Sequence, residues 1–241
     1  MPGPRFGGRP ARRREVVLYA VLAAAAIAWL PWLGPLAYPF RLLSTLVHEL
    51  GHGLAALATG GEFRRLVVAA DGSGLAYTAG GWRLLVVPAG YLGTAVFAGG
   101  LVLVGASPRA GRWALAALGA LVGLASLRYG LPSLVSPEAA GGALAVATGL
   151  AVGAAFVAIA ARASAGWILF TVHLVAIEVG LAALADLWTL IGLSGNGAGQ
   201  PTDARAMAEM TWIPAIVWAI VWALAAAAIL AAAIRAAWGE R

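Results

Sequence analysis

The sequence has no cysteine and no lysine, and charged residues make up only 11% of its 241 positions. The absence of cysteine excludes disulfides, thiolate metal sites and cysteine nucleophiles, so any metal must be bound by histidine and carboxylate. The scarcity of charge, together with a hydrophobic content of 62%, excludes an ordinary soluble domain. The chain is therefore predicted to be a polytopic membrane protein.

Because lysine is absent, the net charge of +6 depends on arginine as its only cationic side chain at pH 7. Much of this charge lies in RFGGRPARRRE, immediately before the first apolar run. Basic flanks of this kind are typical of a segment held on the cytoplasmic side of a membrane, where they meet anionic lipid. We therefore predict a basic cytoplasmic tail at 1–14, contact with the lipid bilayer, and no nucleic-acid partner.

Seven apolar runs approach or exceed the length of about 20 residues that an α-helix needs to cross a bilayer. They predict an all-α membrane protein with six or seven transmembrane helices. The first run is longer than the roughly 7–15 residues of a secretory h-region, which favours a retained helix over a signal peptide. The runs lie near 15–34, 40–59, 83–106, 112–130, 141–161, 166–192 and 210–235.

One segment departs from this helical pattern. FRRLVVAADGSGLAYTAGG places short β-prone runs on both sides of Asp71-Gly72, a dipeptide suited to a tight turn. We predict a small β-hairpin at about 63–80. No soluble second domain interrupts 15–241, which we interpret as one membrane-embedded domain. If the N-terminus is cytoplasmic and each run crosses the membrane, the hairpin and the loop at 194–209 also face the cytoplasm.

The second apolar run contains H-E-L-G-H, in which His48 and His52 lie four positions apart. Positions i and i+4 of an α-helix share one face, so both imidazoles can bind the same metal ion. Glu49 lies about 100° further round the helix, within reach of a general-base role, as in H-E-x-x-H zinc peptidases. A charged side chain near the bilayer centre costs on the order of 3 kcal/mol. Chance is therefore a poor explanation for three ionisable residues within five positions of an apolar helix.

A catalytic zinc site of this kind needs a third protein ligand, and three carboxylates are candidates. Asp203 begins the last helical region in QPTDARAMAE, Glu138 follows a proline-bounded turn in SPEAAGG, and Asp186 lies within an apolar helix. We favour Asp203, because its loop is predicted on the same side as the end of the H-E-L-G-H helix. An ordinary carboxylate at a helix N-terminus would explain Asp203 equally well. The site would hold one zinc ion per chain.

Four segments follow one another in an order that matches a known family: HELGHGLAALATGG, VVAADGSGLAYT, PAGYLG and TDARAMAEMTWIPAIVW. The chain resembles the site-2-type intramembrane zinc metallopeptidases, in particular their compact bacterial branch. The resemblance implies a zinc bound by His48 and His52, Glu49 as catalytic base, and an aspartate from a distant helix. The sequence lacks the Asn-Pro-Asp-Gly or Leu-Asp-Gly motif that carries this aspartate in better-known members, and keeps only Pro-x-Asp-small at Asp203.

The resemblance also implies a function. It predicts a zinc-dependent endopeptidase that acts on membrane-spanning substrates from a bacterial plasma membrane, with 15–241 as the metallopeptidase domain. The missing Asp-Gly motif leaves open a catalytically degenerate relative that binds or regulates membrane proteins. A third interpretation is a metal transporter, whose translocation ligands would be His48, Glu49, His52, His173 and Glu178. No pattern in the sequence indicates an oligomeric state.

Overall fold

The computed structural model describes residues 10–195 and 201–238. Most of the predicted tail, residues 1–9, lies outside the described residues, as do residues 196–200 of the predicted loop. The described chain forms helices and one hairpin in the order α1 Pro10–Trp29, α2 Gly34–Ala58, β1 Glu62–Val68, β2 Gly74–Ala79, α3 Arg83–Val86, α4 Ala89–Val104, α5 Pro108–Gly130, α6 Ala139–Arg162, α7 Ala165–Gly195, α8 Asp203–Thr211 and α9 Ala215–Trp238.

The helices confirm an all-α membrane architecture with one small hairpin. In the described part of the chain, four helices are long and apolar enough to cross a membrane: α5 with the turn that follows it, α6, α7 and α9. The bent pair of α1 and α2 raises this number to five if it is counted as one span. The sequence predicted six or seven, because it counted α1, α2 and the shorter α4, which has 16 residues, as separate spans.

The bend between α1 and α2 measures 100°. It contains Pro31, which opens a short 3-10 turn over Pro31–Leu33, and Pro35 in the first turn of α2. Pro31 lacks the N–H that a continued α1 would need, and its ring would clash with the preceding turn, so α1 ends before it. The two helices therefore do not run antiparallel as two full spans, which the predicted topology required.

One end of the helix bundle contains the start of α1. The Arg13 guanidinium lies 4.0 Å from the centre of the Trp238 ring at the end of α9. The Trp238 ring is in turn 6.1 Å from His173, near the start of α7. Arg112, near the start of α5, donates at 2.8 Å to the carbonyl of Ala163, just beyond α6. We call this the N-terminal end of the bundle.

The hairpin lies along α2 at the opposite end. Its strands pair antiparallel from Glu62 and Ala79 to Val68 and Gly74, which confirms the predicted hairpin. Gly72 in the turn has φ +86°, a conformation that glycine adopts without a steric cost. The alternation of spans predicted the N-terminus and the hairpin on one side of the membrane. The structure places the start of α1 and the hairpin at opposite ends of the bundle, because α2 turns away from α1 by 100° and does not run back along it.

Buried side chains fix the hairpin against α2. Phe63 and Leu66 of β1 pack in one cluster with Leu46 and Leu50 of α2. Gly53 of α2 faces the Phe63 ring, which would collide with any Cβ at that position. The hairpin can therefore approach the H-E-L-G-H helix closely enough for β2 to form a wall of the site.

Candidate metal centre and catalytic cavity

Three of the predicted site residues converge in the structure. His48 and His52 share one face of α2, and Asp203 is the first residue of α8. The Oδ2 atom of Asp203 lies 3.4 Å from Nε2 of His48 and 3.4 Å from Nε2 of His52. The two Nε2 atoms are 3.0 Å apart. Over residues 10–195 and 201–238, this is the one group of three or more such side chains with the spacing to hold a metal ion.

The spacing of these atoms fits a tetrahedral metal ion. Four ligands at about 2.0–2.1 Å from a tetrahedral centre lie about 3.3 Å from one another. The three separations of 3.0, 3.4 and 3.4 Å agree with that edge length. Two imidazoles and one carboxylate leave a fourth position open, as in catalytic rather than closed structural sites.

A hydrogen bond to the backbone sets the tautomer of His52. Its Nδ1 lies 2.8 Å from the carbonyl oxygen of Val86 in α3. Because a carbonyl only accepts, Nδ1 carries the hydrogen, and the lone pair of Nε2 is free to bind a cation. Sequence reasoning missed Val86, since a carbonyl group is common to every residue and leaves no signature.

The first turn of α8 positions Asp203. The hydroxyl oxygen of Thr202 accepts a hydrogen bond from the backbone N–H of Arg205 at 3.2 Å, which caps the helix. Ala204 and Met207 are buried on the other side of α8, in the cluster that includes α9. The cap and the buried face together fix Asp203 at the edge of the histidine pair.

The charge state of Asp203 suits a metal ligand. Burial alone would raise the pKa of its carboxyl group, but the adjacent imidazoles of His48 and His52 hold the pKa below its usual range. The carboxylate is therefore ionised at neutral pH. Asp186, a second candidate ligand, lines the same cavity from α7 but does not belong to the three-residue group.

Glu138, the remaining candidate, lies away from the histidines and holds the hairpin instead. Its carboxylate accepts hydrogen bonds from Arg65 at 2.7 Å, from Ser136 at 2.8 Å and from Tyr77 at 3.1 Å. These bonds, that of Arg65 first, lower the pKa of Glu138 to about 2. Arg65 and Tyr77 belong to the two strands, so Glu138 fastens the hairpin to the turn before α6. A third-ligand role for Glu138 is not supported by this placement.

Glu138→Gln should lower the melting temperature at neutral pH and reduce its dependence on acid. The folded-state pKa of about 2 lies below the ordinary value of about 4.3. The ion pair with Arg65 therefore stabilises the fold above about pH 4.3 and loses its contribution as the pH falls towards 2. Thermal unfolding in detergent from pH 7 to 2 measures this. The control is Glu62→Gln, which breaks only the exposed pair with Arg64. If both variants lose the same amount of melting temperature, Glu138 does not fasten the hairpin as assigned.

Glu49 lies beside the metal centre, between α2 and β2. Only 6% of the surface of Glu49 is exposed to solvent. Gly74 of β2 leaves room for it, since a Cβ at Gly74 would lie 2.9 Å from the Glu49 Oε1 atom. Glu49 lines the cavity together with His48 and His52. The carboxylate is thus confined next to the ligand atoms, where a general base for hydrolysis has to be.

The cavity beside these residues has a volume of about 850 Å³, within the usual range for ligand pockets. Its walls come from α2, β2, α3, α4, α7 and α8. The sheet has two strands, so β2 pairs with β1 along one edge, and residues 74–76 of β2 border the cavity. A strand edge therefore lies next to the metal centre.

The first turn of α4 packs directly against the two histidines of the metal centre. A Cβ at Gly90 would lie 2.5 Å from Nε2 of His52 and even closer to Nε2 of His48. The adjacent Tyr91 packs edge-on against His48, with ring centroids 4.5 Å apart, and stacks on Trp222 at 5.8 Å. The histidines are thus held between a glycine and an aromatic ring.

Gly90→Ala should weaken metal binding. The added methyl group would have to displace both ligand nitrogens, and disturbing the surroundings of metal ligands typically costs about 10–100-fold in affinity. Competition with a chromophoric chelator measures the affinity for zinc. Gly93→Ala is the matched control one turn along α4, because the nearest atom to its Cβ would be Gly51 Cα at 3.6 Å, an ordinary contact. Unchanged affinity in Gly90→Ala would show that the ligand nitrogens do not occupy these positions.

Two residues of the transporter interpretation lie elsewhere. His173 donates from Nδ1 to the carbonyl of Leu169 at 2.7 Å and packs near the N-terminal end of the bundle. Glu178 is buried in α7 without lining the cavity. The five polar residues of that interpretation therefore do not form one pathway with the described cavity.

Comparison with known proteins identifies the family. A family model described as Peptidase M50B-like matches residues 18–233, which contain both histidines, Glu49 and Asp203. The chain belongs to the Peptidase M50B-like family. This confirms the relationship to site-2-type peptidases that the four sequence segments predicted. No curated protein and no solved structure gives a significant match to this M50B-like chain. Membership and the apolar helices together make it a multi-pass membrane protein of a protease family.

Proposed function

We propose that this M50B-like protein is a zinc-dependent intramembrane endopeptidase that hydrolyses peptide bonds of membrane-spanning proteins. The observation that carries the proposal is the convergence of His48, His52 and Asp203 beside the Glu49 carboxylate in one cavity. In this proposal His48, His52 and Asp203 hold the metal. Glu49 transfers the proton that hydrolysis requires.

Zinc is the ion that this donor set favours. Imidazole nitrogens suit zinc, a carboxylate oxygen completes its usual hydrolytic set, and the tetrahedral spacing agrees with its preferred geometry. One such site exists in the described residues, which corresponds to one zinc per chain. When bound, zinc supplies a Lewis acid that polarises the scissile carbonyl and lowers the pKa of water.

Glu49 is the proposed general base. Its carboxylate takes a proton from the attacking water and delivers that proton to the leaving amine nitrogen. The water oxygen becomes bonded to the carbonyl carbon as the C–N bond breaks, so no covalent enzyme intermediate is needed. The burial of Glu49 between α2 and β2 keeps the carboxylate close to the reacting atoms.

The edge of β2 supports a substrate that enters in an extended conformation. A transmembrane helix satisfies its backbone hydrogen bonds internally, so a protease has to unwind it before attacking a peptide bond. The strand edge along the cavity can replace those hydrogen bonds by strand addition. We therefore assign the cavity to an unwound segment of a membrane-spanning protein.

Removal and restoration of zinc test this function. The purified protein in detergent should lose cleavage of a single-span reporter after treatment with a chelator, and recover it when zinc is returned. Magnesium should not restore it, since Mg²⁺ prefers oxygen ligands in octahedral geometry. Stoichiometric zinc without cleavage across a panel of single-span reporters would favour the degenerate relative. Cleavage that survives complete metal removal would contradict the proposal.

A further inference from the structure

The cavity wall contains two charged residues that neither the metal centre nor the proposed reaction uses. The metal ligands and Glu49 account for several of its ionisable side chains, and Arg205 and Glu209 pair with each other at 3.2 Å. Arg83 of α3 and Asp186 of α7 remain, and both are exposed. Neither forms an ion pair within residues 10–195 and 201–238. In this part of the chain, the cavity therefore presents one cation and one anion to a ligand.

Arg83 lies on the side of the metal centre that contains His52. It is the first residue of α3, and the carbonyl of Val86 in the same turn accepts the hydrogen bond from Nδ1 of His52 at 2.8 Å. The backbone N–H of Trp82 donates to the hydroxyl oxygen of Thr59, just beyond the end of α2, at 2.9 Å. Arg83 therefore lies close to the point where β2 and α2 both end.

Asp186 lies on the other side of the metal centre. The basic side chains whose charges act on its carboxylate are those of His48 and Arg41. Arg41 precedes His48 by seven positions on α2, which is about two helical turns. A Cβ at Gly72, in the turn of the hairpin, would collide with the Arg41 side chain. Asp186 therefore lies towards the start of α2 and of β2, and the metal centre separates it from Arg83.

β2 connects these two sides of the cavity. It begins at Gly74, next to the turn beside Arg41, and its end is followed by Trp82 and Arg83. Under the proposed function, a substrate segment pairs with the free edge of β2, so it passes Asp186 on one side of the scissile bond and Arg83 on the other. Antiparallel strands pair slightly more stably than parallel strands. In the antiparallel arrangement, the N-terminal part of the segment lies beside Arg83 and the C-terminal part beside Asp186.

From this arrangement we propose that Arg83 and Asp186 select substrates by charge. The preferred segment has an acidic side chain on the N-terminal side of the scissile bond, where it meets Arg83, and a basic side chain on the C-terminal side, where it meets Asp186. A like charge at either position is repelled, so the same two residues reject segments of the opposite polarity. The inference rests on the proposed function, and it names the class of sequence that the cavity accepts.

Binding to an inactive protein tests this selection without depending on cleavage. The zinc-loaded Glu49→Gln protein is titrated in detergent with three fluorescent single-span peptides, which share a Gly-Gly break in the span and differ only at one position on each side of it. The first peptide has Glu before the break and Lys after it, the second has Gln at both positions, and the third has Lys before and Glu after. Successive sets place the two positions further from the break.

The first peptide should bind about tenfold more tightly than the second in at least one set, because each partly exposed ion pair typically contributes up to about fivefold in affinity. The third peptide should bind more weakly than the second in the same set, because both of its charges are repelled. Fluorescence anisotropy measures the three affinities.

Charge-reversal variants assign each preference to its residue, with peptides that contain a charge at only one of the two positions. In the Glu49→Gln background, Arg83→Glu should reverse the preference before the break from Glu to Lys and leave the preference after the break unchanged. Asp186→Lys should reverse only the preference after the break. Arg64→Glu is the matched control and should keep both preferences, because Arg64 is an exposed arginine of β1 that does not line the cavity.

Equal binding of the three peptides in every set, binding of none of them, or tighter binding of the third would overturn the charge selection. A variant that loses its zinc is replaced by Arg83→Gln or Asp186→Asn, which should abolish the preference at its own position alone. The two proposals fail separately. Charge-dependent binding by a protein whose wild-type form cleaves no reporter contradicts only the function, and cleavage by the wild type without charge-dependent binding contradicts only the selection.

Discussion

A Glu49→Gln protein is expected to keep its zinc and to lose about 10²–10⁴-fold in the rate of peptide cleavage. Glutamine has nearly the same shape as glutamate, so it can occupy the space that Gly74 leaves beside α2. It cannot accept the proton of the attacking water at neutral pH. Because the three ligand side chains remain, zinc content should stay near one per chain. Initial rates on a single-span reporter, together with metal analysis of the same sample, measure both quantities.

Glu178→Gln is the matched control for this substitution. Glu178 is also a buried glutamate, on α7, but it does not line the cavity. Its replacement by glutamine should leave zinc content and cleavage unchanged. If Glu49→Gln cleaves the reporter at the wild-type rate, the proton passes through another group and the role assigned to Glu49 is wrong.

Asp203→Ala is expected to lose zinc more severely than any other carboxylate substitution in the chain. Removing this side chain leaves two imidazole ligands and takes away the only carboxylate of the ligand group. Changes in residues that only support metal ligands already cost about 10–100-fold in affinity, so loss of a ligand should exceed that range. Zinc affinity by chelator competition is the measurement, and cleavage should fall with zinc occupancy.

Asp186→Ala and Glu138→Ala separate the three candidate ligands. Asp186 lines the cavity outside the ligand group, and Glu138 is bonded to Arg65, Ser136 and Tyr77 instead. Both variants should bind zinc with affinity close to that of the wild type. If Asp203→Ala binds zinc as tightly as the wild type while one of the others loses it, the third ligand has been misassigned.

Local patterns in the sequence predicted the parts of the site that depend on neighbouring residues. His48 and His52 share a face because they lie four positions apart on a helix, a relationship that holds whatever the helix packs against. The hairpin is equally local, since Asp71-Gly72 and the flanking β-prone runs determine the turn and the strands. Both features are present in the structure.

The third ligand and the topology could not be predicted in the same way. Asp203 reaches the histidines through the packing of α8, and the missing Asp-Gly motif removed the one local signal for a ligand. Pro31 and Pro35 indicate a break between the first two apolar runs, but not an angle of 100°. That angle decides whether the site lies at the end of the bundle that contains the start of α1 or at the opposite end.

Zinc K-edge absorption of the purified wild-type protein tests the central claim most directly. We expect about one zinc per chain with nitrogen and oxygen neighbours at about 2.0–2.1 Å, and multiple scattering from two imidazole rings. Zinc well below one per chain after reconstitution, or a spectrum with the imidazole contribution of fewer than two histidines, would contradict the assignment of His48, His52 and Asp203 as a catalytic metal centre.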